Sequence, residues 1–294
     1  MRNAFIQELV TLARQHPQIA LVVGDLGYSV VEPFADEFPG RFINAGVAEQ
    51  NMTGLAAGMA SEGFHVFTYS IANFPTFRCA EQIRNDVAYH NLPVTVVSVG
   101  GGLAYGALGY SHHAVQDYAL MRTLPNMLIA APGDPMEVRA CMRYLVKHPG
   151  PSYLRLGKAG EPNFHAAPPN VRPGQWLKVR DGHAERALLS TGAGLQIAME
   201  WAKHPEHVDR SIYTMPLWSM ADKVSQAEQL RRHQEVLTIE DHLLDGGFCS
   251  WLLEAKALDA QLDCTIRPIA LSPDVCGTVG SQATLNQLGG LLPQ

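Results

Sequence analysis

The sequence predicts an α/β protein: a doubly wound, mainly parallel sheet followed by a smaller C-terminal α/β domain. Residues 19–23 are all apolar and residues 93–99 are mainly so, which is typical of parallel strands buried on both faces. Segments with helical periodicity alternate with such strands, and this alternation favours βαβ units. A stretch rich in glycine and proline, 157–175, interrupts the pattern before it resumes.

The elements of the first part follow from hydrophobic periodicity and turn residues. A helix over 2–15 precedes the strand 19–23. That strand ends in the loop 24–29, at the sheet edge where open α/β sheets place ligands. Phe42 and Ile43 end the next strand. The other predicted elements are a helix near 31–37, strands 65–69, 93–99, 127–131 and 152–156, and helices 81–89, 114–122 and 135–147.

A helix over 47–61 follows a turn at residues 44–46, and Gly63 stops it. Its larger apolar residues recur at three- and four-residue spacing and predict one buried face. Interior glycines each cost roughly 1 kcal/mol of helix propensity. We therefore expect this helix to pack closely against another helix or subunit. The residues of the predicted buried face are Val47, Met52, Leu55 and Met59.

The second part begins after the break, so we predict domains at 1–160 and 176–294, joined by a linker over 161–175. No internal repeat or low-complexity tract appears in either part. The predicted elements of the second part are strands 187–190, 211–214, 235–240 and 265–268 and helices near 195–203, 224–231 and 248–257.

Composition excludes several classes of function. Of 294 residues, 17% are charged and 47% hydrophobic, and this low charge fraction favours an oligomer. The net charge of −6 offers no basic surface for nucleic acid. The N-terminus does not read as a signal peptide, and no apolar run approaches the ~18 residues of a membrane span. The five dispersed cysteines fit a reducing cytoplasm and predict neither a disulfide nor a zinc site.

Glu49 is the lone carboxylate in the first turn of the helix over 47–61. Such an acid ordinarily complements the positive end of the helix dipole. The sharper interpretation is a sheltered carboxylate that holds a reactive ligand, because burial lets a carboxyl group share a proton with a ring nitrogen.

The segment Asn-Ala-Gly-Val-Ala-Glu-Gln-Asn-Met at 44–52 resembles the pyrimidine-binding signature of the transketolase family of thiamine diphosphate enzymes. The resemblance implies that Glu49 bonds the aminopyrimidine ring of the cofactor and so promotes loss of the thiazolium proton. The cofactor carries the chemistry, while the protein orients it. The implied fold is a pyrimidine-binding domain followed by a transketolase C-terminal domain.

The loop 100–113 is rich in glycine but lacks the lysine of a P-loop and the acid of a dinucleotide site. His112, His113 and Asp117 are residue types that bind metals, but adjacent histidines point in different directions, and we predict no metal site here. The loop resembles the transketolase segment whose first histidine reaches the hydroxyls of the donor sugar. That position is His112; His113 has no fixed counterpart, and we count it with the substrate-binding residues.

The resemblance also implies cofactor contacts for two further pairs of residues. Two phenylalanines three residues apart more often belong to a hydrophobic core than to a ligand-binding site. In the transketolase family, however, a phenylalanine of this segment stacks on the aminopyrimidine ring, an arrangement that aromatic rings favour. Phe74 is the first choice and Phe77 the second. Asp25 and Leu26 match an Asp-Leu pair that lies beside the cofactor.

Arg2, Ser29 and Arg155 fall where transketolases hold the phosphate of the acceptor sugar, and arginine suits phosphate geometry. The alternatives are a disordered terminus for Arg2 and a surface ion pair for Arg155. Two family acceptor contacts are replaced, by Gly100 and Leu108. We expect these replacements to make the acceptor side roomier or more apolar, and the acceptor not to be an ordinary phosphorylated aldose.

No Gly-Asp-Gly…Asn motif for binding the diphosphate through a divalent metal occurs in the chain. The resemblance therefore implies the small subunit of a split, α2β2 transketolase, whose large subunit binds Mg²⁺ and the diphosphate. The implied reaction moves a two-carbon ketol unit from a ketose to an aldehyde, on sugar or sugar-phosphate substrates. The alternatives are a 1-deoxyxylulose-phosphate-synthase-like enzyme, a 2-oxo-acid decarboxylating enzyme subunit, or a non-catalytic interaction subunit.

Overall fold

A computed structural model describes residues 1–293. Its first sheet has seven strands in the order β10-β5-β6-β4-β3-β1-β2. All neighbouring pairs are parallel except β10 with β5. The strands are β1 (Ile19–Val23), β2 (Phe42–Asn44), β3 (His65–Ile71), β4 (Val94–Val99), β5 (Leu128–Ala130), β6 (Ser152–Leu156) and β10 (Leu217–Trp218).

Helices cover both faces of this sheet, as the doubly wound prediction requires. One face packs on α1 and α6 around Phe5, Leu9 and Leu145. The other packs on α3 around Met52 and Ala56. The helices of this part are α1 (Arg2–Gln15), α2 (Glu32–Glu37), α3 (Glu49–Ser61), α4 (Ala80–Gln82, continued by a π-helical turn at Ile83–Ala88), α5 (Asp117–Met121) and α6 (Pro135–Lys147).

The second part is a five-stranded sheet in the order β12-β11-β8-β9-β7, parallel except for β7. Its strands are β7 (Leu177–Arg180), β8 (His183–Ser190), β9 (Arg210–Thr214), β11 (Glu235–Leu243) and β12 (Thr265–Leu271). Its helices are α7 (Gly194–Trp201), α8 (Gln226–Leu230), α9 (Phe248–Ala257) and α10 (Gln282–Leu288).

The two parts are not cleanly separated along the chain. Residues 157–176 carry no helix or strand. The edge strand β10, however, comes from the second part and pairs with β5 of the first sheet, Leu217 opposite Ala130. Sequence patterns missed β10, β7 and α10, because a two-residue strand, a half-polar edge strand and a short terminal helix carry little periodicity.

The predicted buried face of α3 is wrong in part. Met52 is buried and Met59 half-buried, but Val47 is 72% and Leu55 36% exposed. Small residues take their place, and Ala56, with its neighbours Ala57 and Ala60, is buried. Alanine lets a helix lie close to the sheet, so this face needs Met52 but not Leu55, which faces outward.

None of the helices in residues 1–293 combines the length and the apolar character that crossing a membrane requires.

Candidate active site

The predicted site residues lie mainly on loops at the carboxyl ends of the parallel strands. Asp25 follows β1, Asn44 ends β2 and Asn73 follows β3. Gly100 follows β4, and the loop it begins reaches His113. Because these strands run parallel, their carboxyl ends meet at one edge of the sheet, the edge that binds ligands in open α/β folds.

Asn44 fixes the turn that leads into α3. Its amide oxygen accepts hydrogen bonds from the N–H groups of Asp25 (3.1 Å) and Gly46 (3.0 Å). Its amide nitrogen donates to the Asp25 carboxylate at 2.9 Å, and the Tyr28 hydroxyl donates to the same oxygen. Gly46 adopts φ +74°, which favours glycine. Asp25 therefore ties β1 to this turn, and the half-buried Leu26 packs in the core beneath.

Glu49 is the first residue of α3 and is only 4% exposed. Among the described residues, the only side chain that donates to its carboxylate is Arg78, from Nη1 at a long 3.3–3.4 Å. The cleft lined by Val47, Glu49 and Arg78 has a volume of about 430 Å³. A sheltered carboxylate with unused acceptor capacity therefore opens onto a cleft.

Phe74 and His112 join Glu49 through Arg78. The Arg78 guanidinium lies 4.1 Å above the Phe74 ring, a cation–π contact. The His112 ring meets Phe74 edge-on, with centroids 5.2 Å apart. Burial, the charge of Arg78 and the neighbouring His113 lower the pKa of His112, so its imidazole is neutral near pH 7. Phe77 is 48% exposed, and the ring beside His112 is that of Phe74.

Asn73 holds the histidine loop against the end of β3. Its amide nitrogen donates to the carbonyl oxygens of His113 (2.7 Å) and Ser111 (3.3 Å). The Ser111 hydroxyl lies 3.0 Å from Nδ1 of His112. His113 is fully buried, and within residues 1–293 neither of its ring nitrogens has a hydrogen-bond partner. The two histidines therefore have different surroundings, and His112 is the more accessible of the two.

Arg155 does not face this edge as a free cation. It is 3% exposed and forms ion pairs with Asp117 (2.7 Å) and Asp241 (2.6 Å). Its remaining donors reach the Tyr118 hydroxyl and the Ala114 carbonyl oxygen, among others. Arg155 is therefore neither the predicted phosphate contact nor the alternative surface ion pair, because its N–H groups donate to buried groups of the protein itself.

Tyr105 fills the space beside Gly100. A Cβ atom at Gly100 would lie 2.1 Å from Cε2 of that ring, and the φ of Gly100 is +85°. The ammonium of Lys158 lies 5.1 Å from the Tyr105 ring centre, and His112 lies 6.4 Å from it. The expectation of a roomier acceptor side is therefore wrong at Gly100, where an aromatic ring occupies the space. Leu108 is 58% exposed, which fits the more apolar side.

Arg2 lies near the same tyrosine. Its charge opposes the rise that burial causes in the pKa of Tyr105 and of Tyr69. Its Nε is buried and has no hydrogen-bond partner in the part of the chain that the structure describes. Ser29 is exposed at φ +64°, and its N–H donates to the Glu32 carboxylate. Arg2 and Lys158 therefore place two positive charges beside Tyr105, at the end of the site that includes His112.

Sequence reasoning gave no role to Arg78, Tyr105, Asn73 or Lys158. Arg78 follows Phe74 by four residues, a spacing that brings side chains together on a helical turn. The Tyr105 ring occupies the space that a side chain at position 100 would fill. No local sequence pattern predicts this arrangement, because it depends on how the loop folds back.

Comparisons with known proteins agree with this architecture. Residues 1–160 match the family described as the transketolase pyrimidine-binding domain. The B subunit of an apulose-4-phosphate transketolase from Phocaeicola vulgatus is 34% identical over 263 residues, covering 86% of this chain and 82% of that protein. The 1-deoxy-D-xylulose-5-phosphate synthase of Pelotomaculum thermopropionicum is 32% identical over 300 residues, 98% of this chain and 46% of that enzyme.

Solved structures show the same relationship. A structure described as a split gene transketolase, inactive beta4 tetramer, has a TM-score of 0.84 at 30% identity and covers 99% of this chain and 93% of its own. Transketolase from Leishmania mexicana has a TM-score of 0.81 at 20% identity over 43% of its length, which shows the fold alone.

The chain therefore belongs to the transketolase family. Within that family it is similar over most of its length to proteins described as a B subunit and as a split gene transketolase. It spans less than half of the longer relatives.

The family implies thiamine diphosphate, and the residues of the cleft fit its aminopyrimidine ring. Glu49 retains acceptor capacity for the N–H of a ring nitrogen, since Arg78, its one side-chain donor among residues 1–293, is 3.3–3.4 Å away. Phe74 supplies an aromatic ring next to the cleft, in contact with the Arg78 guanidinium that lines it. Among residues 1–293 the one group of three metal-ligating side chains, His204, Glu206 and His207, includes no residue of the cleft.

Proposed function

We propose that this chain is the small subunit of a split transketolase and acts with a large subunit that binds the diphosphate and its Mg²⁺. The complex transfers a two-carbon ketol unit from a ketose to an aldehyde acceptor. The observation that carries the proposal is the chain of contacts that links Glu49 through Arg78 to Phe74 and His112, although these side chains come from separate segments. We further propose a cytoplasmic α2β2 enzyme of carbohydrate metabolism.

Each side chain of the cleft has a defined task. Thiamine diphosphate, when bound, supplies the thiazolium carbon that carries the two-carbon unit. Glu49 would share a proton with the nitrogen of the pyrimidine ring, and its burial would strengthen that hydrogen bond. Phe74 fixes the ring plane by stacking. His112, neutral near pH 7, donates to or accepts from the donor hydroxyls.

An anionic group on the acceptor would meet Arg2 and Lys158. These cations flank the half-buried Tyr105 ring, and none of the ion pairs formed by residues 1–293 includes either of them. Ser29 and His113 remain as further substrate contacts in the proposal, and Arg155 is removed from it. Lys158, which lies two residues after the end of β6, thus takes the place of Arg155 as the proposed anion contact.

The large subunit would cover the outward face of α3. Gly54 and Gly58 have open space where a Cβ atom would stand, and Val47 and Leu55 are exposed beside them. A helix face of small and apolar residues permits close packing of a partner helix and excludes water on contact. Phe77, on the turn packed against α3, extends the same apolar surface.

The test is turnover with thiamine diphosphate, Mg²⁺, a ketose donor and a small aldehyde, measured with this chain alone and with its large subunit. We expect turnover only with both. Glu49→Gln should reduce it by at least about 100-fold, while Glu62→Gln, an exposed glutamate just after the same helix, should not. Full activity of the Glu49→Gln complex would instead establish a non-catalytic interaction subunit.

A second candidate is favoured by the 32% identity to a 1-deoxy-D-xylulose-5-phosphate synthase. That enzyme's name implies a different donor chemistry, so donor profiling separates the two. Turnover with pyruvate and not with a ketose would replace the transketolase proposal with a decarboxylating one.

A further inference from the structure

The loop between α7 and β9 groups three side chains that commonly bind metals. One ligand atom from each of His204, Glu206 and His207 lies within 4.8 Å of the other two. The loop precedes β9, in the second sheet, and none of its residues lines the cleft at Glu49. The ketol-transfer proposal gives this group no role.

The backbone of this loop holds the two histidines on one face. The N–H of His204 donates to the Trp201 carbonyl (3.0 Å), that of His207 to His204 (2.9 Å), and that of Arg210 to His207 (3.1 Å). Hydrogen bonds between residues three apart eclipse their side chains. The two imidazole centroids are accordingly 5.8 Å apart. Because the loop is held before any ion binds, little ordering is required on binding.

Packing fixes the His207 ring further. It lies 5.2 Å from the Trp201 indole, whose N–H donates to the Leu291 carbonyl at 2.6 Å. The His207 ring is therefore packed on a tryptophan that is itself anchored to the C-terminal segment. A ligand oriented in this way binds a metal more tightly than a mobile one.

The charges around the loop leave one carboxylate available. Arg186 pairs with Asp209, and Arg210 pairs with Glu235. None of the ion pairs formed within residues 1–293 includes the exposed Glu206. The neighbouring arginines are thus neutralised, and Glu206 retains its negative charge for a cation.

Two existing contacts compete with a metal, and the first is the Glu206 N–H, which donates to Nδ1 of His204 at 3.5 Å. Nε of Arg210 donates to Nδ1 of His207 at 3.2 Å, so that nitrogen presents a lone pair toward the guanidinium. An ion bound at Nδ1 would displace this donation. Arg210 would keep its ion pair with Glu235, which it makes through Nη2. Binding through the Nδ1 atoms would therefore replace one hydrogen bond at each histidine.

We propose that His204, Glu206 and His207 bind one divalent transition-metal ion of the zinc class, with water completing the coordination. Two imidazoles and one carboxylate suit Zn²⁺, whereas Mg²⁺ and Ca²⁺ prefer oxygen ligands alone. The ion would clamp the loop between α7 and β9. This site is separate from the Mg²⁺ assigned to the large subunit.

The test uses the full chain without a polyhistidine tag, dialysed against a chelator and titrated with Zn²⁺ by calorimetry. We expect one equivalent per chain, with a dissociation constant on the order of 10 µM or tighter. Mg²⁺ at millimolar concentration should not compete. Co²⁺ should give visible absorption bands typical of nitrogen and oxygen ligation of low coordination number.

Variants make the assignment specific. His204→Asn, His207→Asn and Glu206→Gln should each weaken Zn²⁺ binding by about tenfold or more. The control His183→Asn, at an exposed histidine of the same domain, should not. Circular dichroism checks that each variant is folded. The proposal is overturned if no Zn²⁺ binds at 100 µM, or if the three variants bind as the wild type does and binding is instead lost in His112→Asn.

Discussion

At the scale of single residues, the candidate site residues could be predicted where they lie in a short motif. They could not be predicted where the burial of a side chain depends on residues far away in the sequence. Glu49 and His112 lie in short segments whose resemblance to a known family predicts their roles, and in the structure a chain of contacts through Arg78 and Phe74 links them. Arg155 was predicted as a phosphate contact, but its partner Asp241 lies 86 positions away. No local pattern contains that pair, so its burial appears only in the folded chain.

Separate substitutions of Arg155 and Lys158 distinguish a role in stability from a role in substrate binding. Arg155→Met leaves Asp117 and Asp241 buried without their cation, which typically costs about 3–5 kcal/mol. Lys158→Ala removes an exposed cation and should change stability by less than about 0.5 kcal/mol. Urea unfolding of the isolated chain measures both. In the assembled enzyme, Lys158→Ala should raise KM for an anionic acceptor and leave it unchanged for a neutral one. Equal stability of Arg155→Met and wild type would contradict the buried role.

Glu137 should make stability fall as pH rises. Burial raises its pKa to about 7, above its ordinary value of 4.5. The folded chain therefore retains a proton that the unfolded chain releases. This contribution to stability is fully present below about pH 4.5 and is lost as pH rises through 7. Its size is on the order of 3 kcal/mol.

Glu137→Gln tests this sign. An amide oxygen can still accept from the Gly133 N–H, which now donates to Glu137 at 2.6 Å. Stability relative to wild type should therefore rise between pH 4.5 and 8, measured by urea unfolding at each pH. The control Glu228→Gln, at an exposed carboxylate, should give a flat difference. A flat difference for Glu137→Gln as well would mean that its carboxyl group titrates normally in the folded state.

At the scale of elements, the bounds of long segments with strong hydrophobic periodicity were predictable. The orientation of α3, a helix rich in alanine and glycine, was not. The bounds of α1, α6 and α9 match the sequence predictions, because their periodicity and end signals agree. In α3 the larger apolar residues suggested the wrong face. Its alanines and Met52 pack on the sheet, while Gly54, Gly58 and Leu55 face outward.

A bulky residue on α3 should separate folding from assembly. No atom lies within 4 Å of the position that a Cβ would take at Gly58, so Gly58→Leu meets no clash within the chain. Leucine also favours the helix over glycine, and the isolated chain should gain up to about 1 kcal/mol of stability. Association with the large subunit, measured by size-exclusion chromatography, should be lost. Thr11→Leu, an exposed site on α1, is the control and should assemble normally. Normal assembly of Gly58→Leu would place the partner on another surface.

At the scale of the whole molecule, the class of both parts was predictable, but the way they interlock was not. Alternating strands and helices predicted two α/β units, and the structure has two sheets. The first takes its strands from residues 19–156 together with β10, and the second from residues 177–271. The strand β10 is too short to give a pattern. It pairs with β5, and Trp218 within it meets the Tyr118 ring at 5.3 Å. The Arg155–Asp241 ion pair crosses between the same two parts.

The first part should therefore not fold independently. A chain ending at residue 175 lacks β10 and Asp241, which exposes the edge of β5 and leaves Arg155 with only one of its two carboxylates. An open edge and a half-compensated buried charge both favour aggregation or loss of packing. We expect this fragment to bind a hydrophobic dye and to melt without a cooperative transition, while the full chain melts in one. Calorimetry measures this directly. A cooperative transition of the fragment near the full-chain midpoint would show that β10 and Asp241 are dispensable to the first sheet.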